Sequence, residues 1–116
     1  MILVCLGELI LDMFPAESGR DFLSISAFLP VPGGAPANVA VAAARLGLPS
    51  AFMGKVGADA FGRRLASVLE QSGVDIRGMR YDPRSRTTLN FISLPDPQSA
   101  EYLFYRHPGA DMMLGP

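Results

Sequence analysis

The chain has no tryptophan, one histidine (His107) and one cysteine (Cys5). A lone cysteine excludes an intrachain disulfide and any multi-cysteine metal site. Cys5 lies in an apolar run and reads as a small core residue. One histidine assembles no Ser/His/Asp set. With no second ligand in sight, His107 reads as a surface loop residue rather than a metal ligand. An excess of one charge is missing too. Ten Lys and Arg stand against eleven Asp and Glu, so nothing electrostatic points to nucleic acid or an anionic membrane as partner. The first apolar run has no basic lead-in and is interrupted by Glu8 and Asp12, which fits neither a secretory signal nor a membrane span. A cytoplasmic setting is expected. A GxxxxGK[ST] phosphate loop is absent, since Gly54-Lys55 runs into Val56, and no GxGxxG follows the first apolar run.

A hydrophobic fraction of 49% over 116 residues is enough for one small globular domain. Ile2 to Leu6 is a continuous apolar run closed by Gly7, which predicts a strand buried on both faces of a parallel sheet. Extended character continues through Phe14, and Ser24 to Val31 is a candidate strand. Ala37 to Leu46 predicts a helix stopped by Gly47 and Pro49. Ser50 to Val56 predicts a second core strand. Asp59 is placed to cap a helix presenting Phe61, Leu65, Val68 and Leu69 and ending near Gly73. Strand, helix, strand, helix in this order argues for an α/β unit. Thr87 to Leu94 and Glu101 to Arg106 then predict a hairpin about Pro95-Asp96-Pro97-Gln98-Ser99.

The most informative stretch is Pro32-Gly33-Gly34-Ala35-Pro36-Ala37-Asn38, leading into an alanine-rich helix. Adjacent glycines let a ligand approach the main chain, and Asn38 sits where a helix start offers free N–H groups. An ordinary Gly-Gly turn before a buried helix, with Asn38 bonding its own backbone, explains the same residues. Asp12 has two readings as well: a carboxylate receiving sugar hydroxyls, or a loop carboxylate held by backbone N–H groups. Arg106 is either a clamp for an oxygen-rich ligand or a solvated strand-end side chain. Gly57-Ala58-Asp59-Ala60-Phe61-Gly62 looks like a ligand loop, but capping explains most of it.

Gly33 to Gly47, followed by Gly54-Lys55-Val56-Gly57-Ala58-Asp59-Ala60-Phe61-Gly62, resembles the first signature of the ribokinase-like (PfkB) carbohydrate kinases. Gly7-Glu8 with Asp12, and Tyr105-Arg106-His107-Pro108-Gly109-Ala110-Asp111-Met112, extend the likeness over nearly the whole chain. The wording is most similar to fructokinases, with 2-keto-3-deoxygluconate kinases as the main rival. The resemblance implies a three-layer α/β/α sandwich with a small β-lid, of which residues 1–116 are the N-terminal part with an incomplete sheet. Lid strands are expected within 10–31 and 87–106.

By the same resemblance, Asp12 and Asn38 hydrogen-bond sugar hydroxyls, Gly33 and Gly34 let the sugar lie against the backbone, and Asn90 and Arg106 tune which sugar is accepted. The family's second signature, Asp-Thr-x-Gly-Ala-Gly-Asp, is missing. In the family it supplies the anion hole and the proton-accepting aspartate. The implied activity of the longer protein is transfer of the ATP γ-phosphate, with Mg²⁺, to a terminal hydroxyl of fructose, with no catalytic residue and no nucleotide site in these 116 residues. A lid-mediated homodimer is implied as well. The reading from another class is a sugar-binding or regulatory module without chemistry.

Overall fold

The computed structural model describes residues 1–116 as two sheets, two helices and a short 3-10 turn. Strands β1 (Leu3–Leu6), β4 (Ser50–Gly57) and β5 (Asp75–Asp82) form a parallel sheet in the order β1-β4-β5. The crossovers carry helices α1 (Ala35–Arg45) and α2 (Ala60–Gln71). Strands β2 (Ile10–Pro15), β3 (Phe28–Gly33), β6 (Leu89–Asp96) and β7 (Ser99–Tyr105) form a second sheet in the order β3-β2-β6-β7. Its hairpins β2–β3 and β6–β7 are antiparallel, and a parallel β2–β6 pairing joins them.

One face of the parallel sheet is packed. Phe52 and Val56 point toward the helices and are buried with Ala37 and Ala40 of α1, Leu65 and Leu69 of α2, and Cys5. Each large side chain removed from water in this way contributes about 1.5–3 kcal/mol. The alanines of α1 let its axis approach the sheet closely, and Ser50 Oγ donates to the Ala40 carbonyl at 2.7 Å. Cys5 is the core residue its setting predicts. The other face differs from expectation. Val4 and Leu6 are 51% and 61% exposed because both helices lie on the opposite side of the sheet. These residues therefore build two layers of the sandwich, a sheet and one helical layer.

Several boundaries move for local reasons. α1 begins two residues before the predicted start: Gly34 takes φ 101° at its N-cap, and Pro36 is tolerated in the first turn, where its missing N–H costs nothing. β3 begins at Phe28 and not near Ser24, because Asp21 gathers the Leu23 N–H and the Ser24 hydroxyl into a turn. It also runs on to Gly33. Phe61 does not join the core and is 42% exposed. β5 falls where no strand is predicted. Asp75, Arg77 and Arg80 break the apolar pattern there, and an edge strand tolerates that because its outward positions are solvated. Neither helix is long and apolar enough to cross a membrane.

Candidate functional site

The two sheets meet where all four strands of the second sheet begin or end: Ile10 pairs with Gly33, and Leu11 with Leu89, which in turn pairs with Tyr105. One residue further out, register aligns Val31, Asp12, Asn90 and Phe104 in a row across β3, β2, β6 and β7. Side chains in such a row share a face of the sheet. Two polar groups therefore stand between two apolar ones.

Asn90 is buried, and its Nδ2 donates to Asp12 Oδ1 at 3.1 Å. Asp12 can only accept when ionised, which fixes this orientation of the amide. Asn90 Oδ1 is left without a donor inside the chain. No backbone N–H reaches the Asp12 carboxylate, so it is not the backbone-held loop residue considered above. Partial burial raises its pKa; the Asn90 bond works the other way, and the charge of Glu8 adds to the rise.

The glycine pair makes room for the Asp12 carboxylate and the Glu8 main-chain carbonyl. A β-carbon on Gly33 would stand 2.8 Å from the Asp12 carboxyl carbon, and one on Gly34 would run into the Glu8 carbonyl. Asn38 lies one turn into α1 and donates its backbone N–H to the Gly34 carbonyl at 3.0 Å. Its side chain is exposed and bonds nothing in the chain, so it does not cap its own helix. Ahead of it, the N–H groups of Ala35 and Ala37 have no partner within the helix.

Arg106 is not a free strand-end side chain. Its Nη2 meets Glu8 Oε2 at 2.6 Å and Asp111 Oδ2 at 2.9 Å, and the guanidinium lies 5.1 Å from the Phe104 ring centre. Asp111 is nearly fully buried and also accepts from the Thr88 hydroxyl. Arg106 Nε is buried without a partner. Spacing along the chain gives no sign that Glu8 and Asp111 converge on Arg106, or that Thr88 meets Asp111. Only the segments containing Glu8 and Asp111 stand out in the sequence. Arg106 in turn links to the Asp12 row through Phe104.

Asp59 is the helix cap the sequence predicts, with Oδ1 accepting from Gly62 N at 2.8 Å. It also accepts from the Thr87 N–H at 3.0 Å and the Thr87 hydroxyl at 2.8 Å, locking α2 to the approach of β6. Burial pushes its pKa up, but these hydrogen bonds outweigh that and hold it below the usual value. On the far face of the second sheet, Phe61, Leu89, Phe91 and Tyr105 line a cavity of about 580 Å³. Asp12 and Asn90 are not on its wall. His107 is exposed, and no three His, Cys, Asp or Glu side chains cluster closely enough to hold a metal ion.

A parallel α/β unit with a second sheet rooted on it is the architecture of the N-terminal portion of a ribokinase-like fold. The profile of the pfkB family carbohydrate kinases matches residues 2–114, and the chain belongs to that family. It is 51% identical over 111 residues to a probable chloroplastic fructokinase of Arabidopsis thaliana, covering 96% of this chain and 29% of that protein. Against a fructokinase of Solanum lycopersicum the identity is 46% over 115 residues, covering 99% and 35%. Among solved structures, a fructokinase from Xylella fastidiosa superposes with a TM-score of 0.86 at 37% identity, covering 97% of this chain and 34% of that one. A sugar kinase from Pyrococcus horikoshii, in complex with ATP, gives 0.87 at 39% identity, covering 96% and 35%. The chain thus spans about a third of the length of these relatives.

Proposed function

We propose that the protein carrying this chain is an ATP-dependent fructokinase, and that residues 1–116 hold and cover the sugar. The Asp12–Asn90 pair carries this reading. A partly buried carboxylate with one hydrogen bond, beside an amide oxygen with none, is short of donors, and sugar hydroxyls are donors. Charge-assisted hydrogen bonds of this kind contribute about 1.5–3 kcal/mol each. Val31 and Phe104 offer apolar surface to the C–H faces of the ring. Asn38 and the open N–H groups of α1 supply further polar contacts.

Phosphoryl transfer rests on positioning and on stabilising charge at the transferring group. ATP supplies the phosphoryl group. Asp12, Asn90 and Asn38 orient the sugar, and the second sheet acts as a lid that excludes water from it. The proton acceptor and the nucleotide site belong to the part of the family fold outside these residues. No carboxylate set here fits Mg²⁺, so no step is assigned to it. Turnover of fructose and ATP by the full-length protein, measured by coupled ADP release, tests the reading. The expected result is fructose-dependent ADP formation that Asp12→Ala abolishes and that residues 1–116 alone do not support. Full-length protein inert toward fructose, or an Asp12→Ala variant with full activity, would overturn it.

A further inference from the structure

We propose that Glu8, by sharing Arg106 with Asp111, makes this site select uncharged sugars over sugar acids. The inference rests on the kinase reading above and names the substrate class of the same site. An arginine at the rim of a sugar pocket would ordinarily attract a carboxylate, since its planar fork binds one through two parallel bonds. Here that capacity is already used. Nη2 is taken by Glu8 at 2.6 Å and Asp111 at 2.9 Å, and Nε is buried without a partner. Either paired face of the fork, Nε with Nη2 or Nη1 with Nη2, needs the nitrogen that Glu8 and Asp111 already hold.

The charge count points the same way. One guanidinium faces Glu8 and Asp111, while Asp12 stands close enough for the Glu8 charge to act on it. The Gly33-Gly34 pair brings both residues to one short stretch of backbone, the Asp12 carboxylate against the first glycine and the Glu8 main-chain carbonyl against the second. A sugar acid entering here meets uncompensated negative charge and no free fork. A neutral ketose meets acceptors suited to its hydroxyls. Glu8 is thus a specificity residue that works through Arg106, and nothing in its position requires it to touch the reacting atoms.

A matched pair of substrates isolates the effect. 3-Deoxyfructose and 2-keto-3-deoxygluconate differ only at C1, a hydroxymethyl group in one and a carboxylate in the other. Full-length wild type should favour the alcohol in kcat/KM by about tenfold or more, the scale of one like-charge contact at a partly exposed site. Glu8→Gln keeps a hydrogen-bond acceptor for Arg106 and removes the charge, so it should shrink the preference severalfold, chiefly through the KM of the acid. Glu8→Asp should retain it. A merely structural role for Glu8 would lower activity on both substrates and leave their ratio alone. An unchanged ratio in Glu8→Gln, or wild type taking the two equally, would overturn the proposal. If Glu8→Gln fails to fold, the wild-type preference decides. If the full-length protein phosphorylates neither sugar, calorimetric affinities for the same pair decide the charge selection, and turnover of fructose separately decides the kinase reading. Equal binding, or none, would sink it.

Discussion

The carboxylate of Asp12 occupies the space that a β-carbon would take at Gly33. The two residues sit on adjacent strands of one hairpin, so neither can yield without moving β2 or β3. Gly33→Ala should therefore displace Asp12 and weaken fructose binding at least tenfold, with a stability loss of about 1–3 kcal/mol, the usual cost of overpacking. Gly47→Ala is the control. Gly47 has φ 88° with open space around it, so that variant should lose about 1 kcal/mol of stability and leave sugar affinity unchanged. Calorimetric titration with fructose and denaturant unfolding of both variants separate the two effects.

Asp12 is held at a cost to the fold. Its pKa is raised, mainly by burial, so the folded state binds its proton more tightly than the unfolded chain does. The penalty is absent below the unfolded value of 3.8 and develops as pH rises through the folded-state value. Asp12→Asn should be as stable as wild type or more so at neutral pH, and the difference should vanish toward pH 3. The same variant should bind fructose about 10- to 100-fold more weakly, the worth of one charge-assisted hydrogen bond. Carbon-detected titration of the Asp12 carboxyl should also move to lower pH when sugar is added.

The shift at Asp59 has the opposite sign. Its lowered pKa contributes stability that is fully present above 3.8 and is lost as pH falls through the folded-state value below it. Asp59→Ala removes a helix cap and two bonds to Thr87, which should cost about 2–3 kcal/mol at neutral pH. Urea unfolding at pH 7 and at pH 3 should give a large difference from wild type at the first and a smaller one at the second.

All seven residues of β7 are exposed and the strand has one free edge. With Tyr102, Leu103 and Phe104 among them, such an edge invites pairing with a second chain. We expect the full-length protein to be a dimer through this edge. Leu103→Lys should shift it toward monomer in light scattering after size-exclusion chromatography, and an unshifted dimer would place the contact elsewhere.

Local chemistry made much of this fold legible in the sequence. The Asp59 cap and the Pro97-Gln98 turn announce themselves within a few residues, and the alternation in 87–94 and 101–106 marks β6 and β7. β5 was hidden because an edge strand can carry Asp75, Arg77 and Arg80 without penalty. The burial predicted for Val4 and Leu6 assumed cover on both faces, which depends on chain elsewhere. The site divides in the same way. Asp12 stood out as a carboxylate in an apolar run, but its partner Asn90 is 78 residues away. The Glu8–Arg106 contact spans 98 residues. Spacing along a chain holds no record of register between distant strands.

The second sheet is fastened along one end only. Its four strands meet the rest of the fold at the row through Pro32, Leu11, Leu89 and Tyr105, while Pro15, Phe28 and the Pro97-Gln98 turn mark its loose end. A flap rooted in this way behaves as a lever, with displacement growing in proportion to distance from the pivot. Asp12 and Asn90 lie a single residue from that pivot. The groups proposed to hold the sugar would stay almost still during a swing, and those at the tip would sweep the full arc. Holding a molecule and shutting it in thereby become separable motions, the first nearly independent of how far the second has gone.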